Sequence, residues 1–344
     1  MPCIYFGGCM AFFIRCRRGT GMISRSMKIR NSLLLVLTAL IWGVAFVAQS
    51  KGGDAVGALS FNCIRSIIAG IVLLPVIKLL DALGYGSKKP ATSQEKKTLV
   101  TGGICCGLAL FLASTAQQIG ITMGTEPGKA GFLTACYILL VPVFGLFLKK
   151  KCGFNIWIGV VIAVVGLYFL CMNGSISFET SDLMTFLCAV LFSFHILIID
   201  RFSPLVDGVR MSCIQFFTCG IVGIIPMFIF DMGHSISGIS EWLTLFADAD
   251  AWIAILYAGV MSSGVGYTLQ IVGQNGINPT VASMLMSLES VFSVLAGVVI
   301  LKQFLTVRET VGCVLIFAAI IIAQLPAGKV KAENVNEEQG QADL

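Results

Sequence analysis

The chain has 344 residues, of which 57% are hydrophobic and only 12% charged, whereas a soluble domain carries roughly a quarter charged. Its mean hydropathy is +0.91. Asp, Glu, Lys and Arg are absent from 98–125, 130–148, 152–178, 183–199, 211–230 and 251–288, and about 20 apolar residues cross a hydrocarbon core, so a soluble fold is excluded. The net charge of +5 gathers in short clusters, which points to membrane topology and not to a nucleic-acid partner.

Residues 1–30 read as an N-terminal cytoplasmic arm. Its apolar stretch, Ile4 to Ile14, precedes Arg15, Arg17 and Arg18, which is the reverse of a signal peptide, and it is too short to span. Met22 and Met27 follow, so translation is expected to start near Met27 and residues 1–26 to be dispensable. Spans are expected at 31–50, 56–78, 98–119, 129–148, 154–172, 182–199, 210–230, 251–272, 279–301 and 308–325. Turn or charge punctuation separates them, as at Lys51-Gly-Gly-Asp54, Lys149 to Lys151 and Gly273 to Pro279. Residues 326–344 lack apolar periodicity and read as a disordered cytoplasmic tail.

With the N-terminus inside, the inner segments hold eighteen Lys and Arg and the outer loops only Lys51, Lys129, Lys302 and Arg308. The expectation is therefore a multi-pass protein of the inner or plasma membrane with both termini cytoplasmic. Its partners are the lipid bilayer and a small-molecule substrate, with protons as a further option, a homodimer compatible and no nucleic acid.

The chain also repeats itself. At an offset of 150, Cys63, Ile64, Gly70, Ile71 and Val72 match Cys213, Ile214, Gly220, Ile221 and Val222, and Trp42-Gly43 falls on Phe192-Ser193. At an offset of 152, Gln118, Ile119, Gly124, Pro127, Ala130, Leu133, Gly145 and Lys150 match Gln270, Ile271, Gly276, Pro279, Ala282, Leu285, Gly297 and Lys302. Two units of five spans, 31–172 and 182–325, follow. Five is odd, so the second unit enters from the opposite side. The fold class is an all-α integral membrane protein of ten transmembrane helices in two inverted five-helix repeats. Secondary transporters use this construction, with a site near the midplane where the copies meet.

The segments Ala39-Leu-Ile-Trp-Gly-Val-Ala-Phe46, Arg65, Gly128-Lys-Ala-Gly-Phe-Leu133 to Val141-Pro142, Phe192-Ser-Phe-His-Ile196, Leu288-Glu-Ser-Val-Phe292 and Gly312 to Gln324 carry a resemblance. In order and spacing they resemble the EamA-like group of the drug/metabolite transporter superfamily over roughly residues 28–326. The resemblance implies two inverted five-helix units and movement of small metabolites, amino acids or drugs. Ser290 stands where proline is usual and Lys302-Gln303 where Gly-Glu is usual, so no role is carried over to the latter position.

Ionisable groups inside the expected spans are Arg65, His195 and Glu289. Burying a charge at the midplane costs about 2.5–3.5 kcal/mol on insertion scales, so such groups face a cavity or a partner. Glu289 is the eleventh residue of a 23-residue span, near the midplane. A carboxyl that titrates there can bind a proton or a cationic substrate, and reciprocal binding at one site suffices for exchange. The alternative is a protonated glutamic acid bonded between helices. The 152 offset sets Tyr137 opposite Glu289 as the other wall of one cavity. Arg65 can attract an anion, snorkel to headgroups or pair with a carbonyl, and His195 reads as a buried neutral imidazole or a cavity group. Trp42, Tyr267, Gln270, Gln118, Gln117 and Gln49 complete the cavity candidates. Ser283, Ser287, Ser290, Val294 and Gly297 form a packing stripe, and Gly103 and Gly107 a close-approach pair.

The thirteen cysteines sit almost wholly in apolar runs without C-x-x-C, and the two histidines, His195 and His234, assemble no metal spacing. No cofactor or metal is expected. No H-E-x-x-H, G-x-S-x-G or Walker A motif occurs, so the chain reads as no enzyme and as gradient-driven. The competing classes are a membrane-embedded enzyme and a lipid scramblase or non-transporting scaffold.

Overall fold

The computed structural model describes residues 25–84, 89–125, 127–148, 150, 153–172, 179–233, 236–301 and 306–325. The arm up to residue 24, the tail from 326 and Lys302-Gln303 lie outside the described residues. Among the described residues every regular element is helical. The first unit contains α1 (Arg25–Val56), α2 (Ala58–Ala82), α3 (Ser93–Thr122), α4 (Pro127–Ala135), α5 (Tyr137–Phe147) and α6 (Phe154–Cys171). The second contains α7 (Thr180–Phe202), α8 (Gly208–Pro226, extended by a π-helical turn Met227–Asp231), α9 (Ile236–Thr244), α10 (Ala249–Leu256), the π-helical stretch Tyr257–Tyr267, α11 (Thr268–Gln274), α12 (Pro279–Met286), α13 (Leu288–Leu301) and α14 (Val307–Gln324).

Seven helical segments among the described residues are long and apolar enough to cross a membrane: Arg25–Phe46, Ala58–Ala82, Ser93–Thr122, Lys129–Phe147, Thr180–Phe202, Gly208–Asp231 and Ala249–Gln274. Phe154–Leu170 is a shorter apolar helix. Their outward faces are apolar: Ile71, Leu79, Phe147, Val161, Ile221, Ile225 and Phe230 are all exposed. A soluble protein does not present such a surface, whereas lipid matches it. Local sequence sets the helix starts. The boxes Thr92/Glu95 and Thr306/Glu309 cap α3 and α14 reciprocally, and Asp207 accepts from the Arg210 amide at 2.9 Å to cap α8.

Packing respects the internal repeat. The most extensive interfaces pair α6 with α14, α3 with α7 and α2 with α8, and α1 packs on α11 and α13 as α7 packs on α3 and α5. Residue-level pairs match as well. Arg210 at the start of α8 bonds Asp81 at the end of α2 at 2.5 Å. At an offset of 150 from these two stand Ser60 and Asp231, and Asp231 accepts from the Ser60 amide at 2.6 Å and its hydroxyl at 2.7 Å. Each of α2 and α8 thus ends on a carboxylate that holds the first turn of the other.

One sequence expectation needs correction. Lys51-Gly-Gly-Asp54 is not a turn but the last part of α1. Its glycines permit close approach: a Cβ at Gly52 would fall 2.1 Å from the Phe61 ring, and one at Gly53 2.3 Å from Gln118 Nε2. The chain turns instead at Gly57, whose φ of +89° suits glycine. The expected spans 129–148 and 279–301 are each broken, at Cys136 and Ser287. The stretch 231–250 holds α9, an amphipathic helix whose Trp242 donates to Ser60 Oγ at 2.8 Å. Gly103 and Gly107 do permit close packing, since Cβ atoms there would lie 2.5 Å from Ile214 and 2.6 Å from the Gln215 carbonyl of α8.

Candidate functional site

The two helix breaks build the site. Both broken segments begin on a proline, Pro127 and Pro279, at the 152 offset. At the breaks the amide of Leu139 bonds Cys136 O at 3.0 Å and that of Ser290 bonds Ser287 O at 3.2 Å, tighter than an α-turn. Ser283 and Ser287 add hydroxyl bonds of 2.8 Å to the carbonyls of Thr280 and Met284, a back-bonding that bends helices. The breaks set Tyr137 as the first residue of α5 and Glu289 as the second of α13. Tyr137 Oη donates to Glu289 Oε1 at 3.3 Å, and both side chains are buried. Gly43 of α1 lets the Glu289 backbone approach, since a Cβ there would lie 2.8 Å from Glu289 O.

Around this pair lies a cavity lined by Trp42, Phe46, Gln49, Arg65, Gln117, Thr134, Tyr137, Phe192, Ile196, Ser262, Tyr267, Gln270, Met286 and Glu289. Eight of these are four repeat-equivalent pairs: Trp42/Phe192, Phe46/Ile196, Thr134/Met286 and Tyr137/Glu289. The cavity is narrow. About 30 Å³ takes the centre of a water-sized sphere, room for roughly two waters at ~10–15 Å³ each. Polar clasps tie the helix ends beyond it. Lys129 and Asp182 pair at 2.5 Å on α4 and α7, and Asn31 of α1 donates to Asn275 O at 2.7 Å.

A model of the EamA-like transporter family matches the chain twice, over residues 30–172 and 180–324. The chain belongs to the EamA-like transporter family. It is 28% identical over 315 residues to an uncharacterized transporter of Archaeoglobus fulgidus, covering 91% of each chain. It is 22% identical over 300 residues to the uncharacterized transporter YoaV of Bacillus subtilis, covering 86% of this chain and 96% of that one. A solved crystal structure superposes with a TM-score of 0.68 over 89% of this chain and 99% of its own at 18% identity, a likeness of fold. This member of the EamA-like family is accordingly a multi-pass membrane transporter.

Within this family member the walls differ in character. Trp42 and Tyr267 rings lie 4.6 Å apart, and Trp42 Nε1 donates to Ser262 O at 3.2 Å in the π-helical stretch. Arg65 donates through Nε and Nη2 to Asn62 Oδ1 at 3.1 and 2.9 Å. Gln117 donates to Thr134 Oγ1 at 3.1 Å. Two sequence candidates stand outside the lining. His195 lies behind the wall, 2.9 Å through Nε2 from Gln215 Oε1, and Gln118 donates to Gln49 O at 2.9 Å. Six lining residues escaped the sequence candidates: Phe46, Thr134, Phe192, Ile196, Ser262 and Met286. Of these, the offset of 150 carries Trp42 onto Phe192; Phe46/Ile196 and Thr134/Met286 are equivalent only to each other, and Ser262 lies in the π-helical stretch.

Proposed function

We propose that the chain is a secondary transporter that moves a small organic solute (a metabolite, amino acid or drug) by alternating access, coupled to protons through Glu289. The observation that carries this reading is the buried Tyr137–Glu289 contact, joining equivalent positions of the two repeats inside a cavity that both repeats line. Two copies that can exchange conformations around such a point open it to one side and then to the other. Ten spans are proposed, the seven long apolar segments together with α6, the α12–α13 pair and α14. The inverted relation of the halves is supported by the paired end contacts, Asp81–Arg210 and Asp231–Ser60. The excess of Lys and Arg on one side supports cytoplasmic termini in an inner or plasma membrane.

Purified protein in liposomes with an imposed pH gradient, incubated with a mixture of small metabolites and drugs, tests the reading. At least one solute is expected to accumulate saturably above protein-free liposomes, with accumulation lost when the gradient is collapsed. Scrambling of labelled lipid or chemical conversion of a solute, without accumulation of any, would contradict it.

A further inference from the structure

Arg65 is 3% exposed and lines the cavity, yet among the described residues no carboxylate pairs with it. The other half-buried or buried cations in ion pairs have acidic partners: Arg210 has Asp81, Lys129 has Asp182 and Lys150 has Asp200. Arg65 instead rests on a neutral acceptor, Asn62 Oδ1, whose own amide is anchored on Thr115 Oγ1 at 2.9 Å. The Phe61 ring lies 5.4 Å from its guanidinium carbon. These contacts orient the guanidinium without neutralising it. They occupy the edge formed by Nε and Nη2 and leave the Nη1/Nη2 edge, the fork that grips a carboxylate with two parallel bonds. The fold does not require a cation here, because the repeat-equivalent residue is Gln215. A second observation points to a ligand in the same space. Gln49 Oε1 and Gln270 Oε1, both in lining residues, are buried without a hydrogen-bond partner. Buried acceptors of this kind are costly unless something donates to them.

Resting on the transporter reading, we propose that the solute carries a carboxylate that docks on the free edge of Arg65, with a hydroxyl or N–H donor facing Gln49 and Gln270. The Trp42 and Tyr267 rings, tilted 53° to each other, form an apolar wall for the rest of it.

Benzoate, benzamide and benzamidine share one size and shape and carry a negative, zero and positive charge. Lactate and lactamide add a hydroxyl donor. Thermal unfolding of the purified full chain in detergent, at constant ionic strength, is measured with each. A ligand that binds the folded state raises the melting temperature with concentration. Benzoate and lactate are expected to raise it, lactate through both docking points, and the two amides and benzamidine to leave it unchanged. Arg65→Gln, which installs the residue of the other repeat, is expected to abolish the carboxylate response. Should that variant not fold, the comparison of isosteres on the unmodified chain decides alone. A rise with benzamidine equal to that with benzoate, or no rise with either carboxylate, overturns the proposal. Solute accumulation in liposomes would still stand in that case, so failure here is distinct from failure of the transport reading.

Discussion

Glu289→Gln is expected to abolish accumulation driven by a pH gradient while leaving solute counterflow partly intact. Glutamine keeps the size of the side chain and can still accept from Tyr137 Oη, which now bonds Glu289 Oε1 at 3.3 Å, but it cannot titrate. Coupling requires a group that takes and releases a proton where the solute binds, and among the cavity-lining residues Glu289 is the carboxyl. Counterflow needs binding and alternation only, so it separates the two functions of the site. Tyr137→Phe removes the donor and is expected to weaken solute binding about 5–13-fold, the worth of a hydrogen bond of ~1–1.5 kcal/mol, without removing the pH response. Uptake into proteoliposomes with and without an imposed gradient reads both. An unchanged gradient response in Glu289→Gln would make this residue a structural bridge between α5 and α13 and would end the coupling assignment.

Asp182→Ala is expected to be the most destabilising single change outside the cavity. Asp182 is 1% exposed and holds Lys129 at 2.5 Å, and it also accepts from the Glu179 amide at 2.8 Å at the start of α7. Removing it breaks the Lys129 ion pair from one side, which costs up to about 3–5 kcal/mol where such a pair is buried. Loss of the cap adds about 1 kcal/mol. The double change Lys129→Met with Asp182→Leu removes both charges and is expected to recover most of the first loss but not the second. Thermal melts of the purified proteins in detergent compare the three. If Asp182→Ala melts within a degree of the unmodified chain, the pair does not clamp α4 to α7.

The repeat offset was the most informative feature of the sequence, because equivalence constrains three-dimensional position where hydropathy does not. It set Tyr137 opposite Glu289 from their numbers alone, and the two meet. Hydropathy located the helices but not their interruptions. Gly52 and Gly53 read as a turn because a glycine chosen for close packing and one chosen for a left-handed turn look alike in sequence. Gln117 and Gln118 were both plausible cavity residues. Neighbours on a helix point about 100° apart, so only one can face inward, and Gln117 does. Ser262 is not legible because the π-helical stretch Tyr257–Tyr267 departs from the 3.6-residue period on which facing is judged, although Tyr267 at its end is a sequence candidate and lines the cavity. His195 is a cavity candidate in the sequence because ionisable groups in the spans are few, but Gln215 Oε1 holds its Nε2 at 2.9 Å and it does not line the cavity.

Access to the cavity from both sides of the membrane is the central claim, and Ser262→Cys tests it most directly. Ser262 is 3% exposed, lines the cavity and takes no part in the Tyr137–Glu289 hydrogen bond. The substitution is made in a chain whose thirteen native cysteines are replaced by alanine or serine. A small membrane-impermeant thiol reagent is then applied to intact cells and to inside-out vesicles. Alternating access predicts slow modification in both preparations, because the narrow cavity opens to each face in turn. Modification from one face alone, or from neither over the lifetime of the vesicles, would contradict it.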